Sequence, residues 1–308
     1  MKKKPAVGEK HMHDEFIAQC AQLAMLLEAS CGVKPGNVDR MQDYPGTSLY
    51  HFVASAVGAY PVLRRAAASR GGVGNLIRGA VEESMKWQDG GNTHFGTFLL
   101  LIPLCMAAGE VNEKSDSPLF PLLLRDVAGR IVRSTNVIDA IEFYEAFGIS
   151  SVRVKEVPSL DMRDRETADE IVSRDIQLIT LMEMSAEYDM IAREWVYAFP
   201  ITFEVAEQLI QSQEPNVSDR ITLAFLRVLA SYGDTFIEIK HGKDVAEWAK
   251  EMAAEVLEGM KKGDNISTIM DDIEALDEEF LRKEINPGSV ADIIAAGTFV
   301  ALLRGMRI

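Results

Sequence analysis

Apolar residues recur at helical spacing along nearly the whole chain, in runs of about 12 to 25 residues parted by short polar breaks. This pattern leaves few fold classes open. Asp14 to Ser30 is one such run, with Phe16, Ile17, Cys20, Leu23, Ala24 and Leu27 on one face. The alanine-rich stretch 47–68 is another, with a possible kink at Pro61. A helix follows the SRGGVGN turn and runs through Met85, and an apolar helix begins near Phe95. Further helices are predicted at 119–133, 135–147, 166–190, 201–212, 218–232, 243–261, 265–283 and 289–304. Residues 150–161 alternate Val152, Val154 and Val157 and are read as a short extended connection. No βα alternation and no fixed-period repeat occurs, so a Rossmann fold, a barrel and a solenoid are set aside. The expectation is an all-α fold, a single compact multi-helix bundle with a polar cavity between helices. Residues 13–308 form one domain behind a flexible N-terminal tail, 1–12.

Charge narrows the partners. The chain carries 47 acidic and 32 basic residues, a formal net charge of -15. That argues against a nucleic-acid backbone or an anionic membrane surface. A small phosphorylated ligand remains possible, since a local Lys/Arg cluster binds phosphate inside an acidic protein. The acidic excess between Asp271 and Glu284 reads as a solvated helix face. Three cysteines, none in a CxxC pair, suit buried thiols in a reducing, cytoplasmic setting. The most apolar stretch, Phe98 to Ala108, is too short to span a bilayer and contains Pro103.

Four polar motifs stand at breaks between the helices, where function tends to sit. The first runs from Glu28 through Cys31, Lys34, Pro35, Gly36, Asn37 and Asp39 to Arg40. Pro-Gly makes a tight turn, and Lys34 and Arg40 beside it can hold phosphate oxygens. The second is Gly90, Gly91, Asn92, Thr93, His94, Phe95 and Gly96. Glycines, Asn and Thr at a helix start offer free N–H groups to an anion, or simply cap the helix. The third, Ser231 to Gly242, places Asp234 and Thr235 after Gly233, with Lys240 and His241 beyond a short apolar turn. Asp234 can ligate a hard cation or start the next turn. The fourth is Asn286, Pro287, Gly288, Ser289 and Asp292. Ser289 and Asp292 have capping-box spacing, while an Asp on a small-residue helix would need a partner or a metal. No Walker A sequence, dinucleotide fingerprint, HExxH pattern or nucleophile elbow occurs.

Taken in order, these motifs resemble those of the triphosphoribosyl-dephospho-CoA synthase family. The resemblance rests on Glu28, Ser30, Cys31, Lys34, Pro35, Gly36, Val38 and Arg40. It continues with Asn92, Thr93, His94 and Gly96, then Asp234, Thr235, Ile237, Lys240 and Gly242, then Pro287, Gly288, Ala291 and Asp292. It implies an all-helical transferase that uses ATP as substrate, with Mg²⁺ as cofactor. The 2'-hydroxyl of 3'-dephospho-CoA would replace adenine at the anomeric carbon, giving a triphosphoribosyl adduct. It further implies Glu28 as general base or oxocarbenium stabiliser, with Asp234 and Asp292 as catalytic carboxylates holding Mg²⁺. Lys34, Gly36, Asn37, Arg40, Asn92, Thr93, His94, Lys240 and Ser289 would bind the nucleotide and its phosphates. Phe95 stands where the family commonly has lysine, and Ile293 replaces a leucine. The Asp-Thr-x-Ile segment is closer to the archaeal and methylotroph branch. Two alternatives follow from those departures: a related transferase in methanopterin-like cofactor synthesis, and a non-catalytic nucleotide-binding protein. The partners implied are a nucleotide and a phosphorylated acceptor, with a homodimer possible. If Glu28, Asn92, Asp234 and Asp292 form one site they should converge; if they are only caps and turns they should scatter.

Overall fold

The computed structural model describes residues 7–68, 72–111, 117–150, 166–261 and 263–308, and within them the fold is all-α, as expected. Its helices are α1 (Val7–Ser30), α2 (Leu49–Ala68), α3 (Val73–Met85), α4 (Phe95–Glu110) and α5 (Phe120–Arg133). Then come α6 (Val137–Ser150), α7 (Glu166–Ser173), α8 (Leu178–Ser185), α9 (Met190–Val196) and α10 (Pro200–Gln211). The last are α11 (Val217–Tyr232), α12 (Thr235–His241), α13 (Lys243–Glu258), α14 (Met270–Arg282) and α15 (Gly288–Leu303). Helix α1 begins inside the stretch expected to be a tail, and residues 1–6 lie outside the described residues. The extended connection expected at 150–161 also lies outside them, apart from Ser150, which ends α6.

Two helices are apolar on every side, α4 and α15, and both are buried along nearly their whole length. They touch each other, and α1, α2, α10 and α11 pack around them. Buried apolar side chains from α1 to α15 belong to one continuous core. Small residues set the closest approaches. A Cβ on Gly297 would lie 2.3 Å from Val205 Cγ1, so α10 can seat against α15 only over a glycine. Helix α14 turns Ile273, Leu276 and Phe280 inward and most of its acids outward, the solvated face expected of that run.

Two sequence expectations need correction. The single helix predicted over 166–190 is broken: Asp175 takes a left-handed φ of 51°, and Asp189 caps a fresh helix by accepting from Ile191 N at 2.8 Å. The apolar spacing persists across the breaks because Ile171, Ile176, Leu178, Ile179, Met182 and Met190 all face the same core. The turn expected after Asp234 is instead the short helix α12.

Candidate functional site

The loop after α1 folds its charged residues inward. Gly36 has a φ of 73°, and a Cβ there would stand 2.1 Å from the Ile285 carbonyl oxygen, so glycine alone admits this turn. Its N–H donates to Asp277 Oδ1 at 2.8 Å, and Asn37 Nδ2 donates to Asn286 Oδ1 at 3.0 Å. The first motif is thereby bound to the segment that carries the fourth. Asp39 shapes the loop from within, accepting from Lys34 N at 3.1 Å, Met41 N at 2.6 Å and Gln42 N at 2.9 Å. Lys34 is fully buried and its ammonium pairs with the buried Glu28 carboxylate. Burial pushes the Glu28 pKa up against the pull of Lys34. Burial is the largest influence on Lys34 and works to discharge it, but Glu28, Cys31 and Asp39 together outweigh it and push its pKa up. The expectation of a phosphate-facing Lys34 at a surface mouth is corrected: its charge is already met inside the protein. Gly36 likewise has no free N–H for a phosphate. Arg40 is exposed, with no side-chain partner among the described residues.

At the second break, Gln88 ties the glycines: its Oε1 accepts from Gly90 N at 2.7 Å and its Nε2 donates to Gly91 O at 3.0 Å. Asn92 Oδ1 accepts from Phe95 N at 3.0 Å, which holds the loop onto the first N–H of α4. Two further donors in its first turn, both on Thr97, are taken by a carboxyl from α15. Asp292 Oδ1 accepts from the Thr97 hydroxyl, and the Thr97 N–H reaches the same carboxyl. A Cβ on Gly96 would lie 2.1 Å from Asp292 Oδ2, so the glycine makes room for this cross-helix cap. The anion site anticipated at this helix start is therefore occupied by one of the protein's own acids.

His94 is buried, 2% exposed, and its Nδ1 lies 2.8 Å from Ser55 Oγ. Its Nε2 has no hydrogen-bond partner, nor has the buried Thr93 Oγ1. Burial, aided by the charge of Lys34, lowers the His94 pKa to about 3. His94 is thus a neutral imidazole, and to a nucleotide it can offer a hydrogen bond but no charge. Phe95 is buried against Phe143 and Phe147, with ring centroids at 5.8 Å and 6.0 Å. The departure from lysine at this position is a matter of core packing.

Asp234 caps two helices at once. Its Oδ1 accepts from Phe236 N at 2.7 Å and Ile237 N at 3.0 Å, at the start of α12. Its Oδ2 accepts from Val290 N at 2.8 Å, and Ser289 N adds a fourth donor, at the start of α15. Four donors use the roughly four lone-pair sites of a carboxylate. Lys240 Nζ donates to Tyr44 Oη at 2.6 Å and to Glu284 O at 3.0 Å, and His241 Nε2 lies 2.9 Å from the same carbonyl. Ser289 Oγ lies 3.5 Å from Thr235 Oγ1.

The four motifs do converge. Asp292 feels the charges of both Glu28 and Asp234, and His94 feels that of Lys34. Burial first, then those two acids, push the Asp292 carboxyl up to about 8, while burial raises Asp234 to about 6. A metal fits this set poorly. Asp234 is saturated by backbone donors, and Asp292 has one oxygen engaged by the Thr97 hydroxyl. Among the described residues no three His, Cys, Asp or Glu side chains form a metal cage. The expectation that Asp234 and Asp292 together hold Mg²⁺ is corrected on these grounds.

Ser55, Thr97, Asp277 and Asn286 were not anticipated as partners. Thr97 stands one residue past Gly96, and Asn286 directly precedes Pro287, so their places in the motifs carried a signal. Ser55 in an alanine-rich helix and Asp277 in an acidic run carried none.

A family model described as ATP:dephospho-CoA triphosphoribosyl transferase matches residues 14–307. A crystal structure described as a proposed triphosphoribosyl-dephospho-coA synthase from Archaeoglobus fulgidus resembles the chain with a TM-score of 0.67 and 30% identity. The match covers 84% of this chain and 100% of that one. No curated protein matches the chain. No helix among the described residues is long and apolar enough to cross a membrane.

Proposed function

Because the chain belongs to the ATP:dephospho-CoA triphosphoribosyl transferase family, we propose that it joins the triphosphoribosyl part of ATP to the 2'-hydroxyl of 3'-dephospho-CoA and releases adenine. The bond between the ribose anomeric carbon and adenine N9 breaks, its electron pair leaving with the base. The acceptor oxygen bonds to that carbon, the hydroxyl loses its proton, and adenine gains one. Positive charge develops on the sugar as the bond opens, as in other glycosyl transfers.

The observation that supports this reading, beside the family match, is the buried Glu28–Lys34 pair where the first, second and fourth motifs meet. A buried ion pair is a doubtful stabiliser of a fold, since desolvation offsets much of the attraction. A carboxylate paired with an adjacent lysine in a water-poor centre is, by contrast, well suited to meet a transient cation. Glu28 takes that role, and Lys34 holds its charge and orientation. Arg40, exposed beside the same loop, and Lys240, once it exchanges Tyr44 and Glu284 for a ligand, face the triphosphate. Mg²⁺ would arrive with the nucleotide, bound by phosphate oxygens and water. The non-catalytic alternative loses its motive, because Phe95 packs in the core.

Incubation with ATP, Mg²⁺ and 3'-dephospho-CoA, followed by chromatography, should show adenine and the adduct appearing in equal amounts. No adenine from the wild-type protein refutes the transfer. Glu28→Gln should lose most of the rate while still binding ATP.

A further inference from the structure

At the start of α4 two buried polar atoms one residue apart are left unsatisfied, the Thr93 hydroxyl and His94 Nε2. Buried polar atoms almost always have partners, so two orphans side by side call for an explanation. Their surroundings describe what would satisfy them. The half-buried Phe52 meets the His94 ring edge-on, with centroids 5.0 Å apart, and Phe98 lies at 6.0 Å. His94 feels the positive charge of the buried Lys34 ammonium, which disfavours a cationic visitor.

An anion is no better suited. Of the donors that would attract a phosphate at this helix start, Phe95 N is spent on Asn92, and Thr97 N and Oγ1 on Asp292, which leaves too few to cage a phosphate. The acid group of Asp292 stands beside them, and a neutral imidazole offers phosphate no charge. The remaining class of ligand is uncharged and flat, with hydrogen-bonding atoms on its edge.

We propose that His94, Thr93 and Phe52 form the pocket for the nucleobase of the nucleotide, and that the triphosphate lies elsewhere. Ser55 holds the imidazole through Nδ1, so either tautomer presents Nε2 with one hydrogen bond to give or accept. Adenine carries ring-nitrogen acceptors and an amino donor along one edge, and so suits both. The Phe52 ring gives up its edge contact with His94 and stacks on the base. The inference rests on ATP as substrate and assigns the two ends of that substrate to different parts of the site.

Direct binding tests it without turnover, using adenosine and inorganic tripolyphosphate as separate probes of wild type, Thr93→Val and His94→Phe. Thr93→Val is the cleaner variant, since the hydroxyl it removes has no partner in the folded protein. Losing one hydrogen bond should weaken adenosine by about 2- to 10-fold. His94→Phe should weaken it further, and tripolyphosphate should bind all three proteins alike. Adenosine affinity that is unchanged in Thr93→Val, or tripolyphosphate affinity that falls in either variant, overturns the assignment. A wild-type protein that binds adenosine in this pattern but releases no adenine keeps the base pocket and loses the transfer reaction, so the two failures are distinct.

Discussion

Replacing Asp292 with asparagine removes a charge while keeping the shape of the cross-helix cap. The asparagine Oδ1 can accept from Thr97 as the acid does, and its amide fills the space beside Gly96. In the folded protein the carboxyl is pushed up to about 8 from a starting value of 3.8. A carboxyl whose folded pKa lies above its unfolded value costs the folded state nothing below the unfolded pKa. It costs progressively more as pH rises, and levels off above the folded pKa. The shift of roughly four units at about 1.4 kcal/mol each sets a ceiling near 6 kcal/mol. Water reaches the half-buried side chain, which brings the expected cost of the ionised form to about 2–4 kcal/mol. Asp292→Asn should therefore match wild type near pH 3 and exceed its stability by about 2–4 kcal/mol near pH 9. Urea unfolding of both proteins across that range, followed by circular dichroism, measures the difference, in which the other titrating groups largely cancel. If Asp292→Asn is less stable at every pH by a constant amount, the ionised carboxylate is a net-favourable cap on α4 and the reasoning fails.

Gly96→Ala should destabilise the protein by about 1–3 kcal/mol, because the new methyl meets Asp292 Oδ2, and the loss should shrink in an Asp292→Ala background. Lys34→Met leaves Glu28 buried and unpaired and should cost about 3–5 kcal/mol in urea unfolding; adding Glu28→Gln should restore much of the stability and none of the activity. Asp234→Ala strips the caps from α12 and α15 together and should cost about 2–4 kcal/mol, roughly twice an ordinary cap; a loss below about 1 kcal/mol would show that water replaces it.

The helical class was legible in the sequence because burial of one stripe per helix imposes a period that any 12-residue run displays. Gly36, Gly96 and Asp234 were legible as sites of constraint, since only certain residues make such turns and caps. The choice between function and capping was posed as exclusive, and the tertiary structure dissolves it. Asp234 and Asp292 cap helices and also converge, because a carboxylate on one helix satisfies the N–H groups of another. Sequence spacing carries no sign of such cross-chain bonds: Asp292 meets Thr97 across 195 positions, and Asp234 meets Val290 across 56. Charge behaves in the same way. A lysine beside Pro-Gly looks the same in a sequence whether it points to solvent or to a buried Glu28. Whether His94 is a cation or a neutral ring depends on desolvation and on Lys34, both set by packing. Residue types and order determined the fold class and the family; which atoms are already satisfied, and which remain free for a ligand, was decided only when distant segments came within hydrogen-bonding distance.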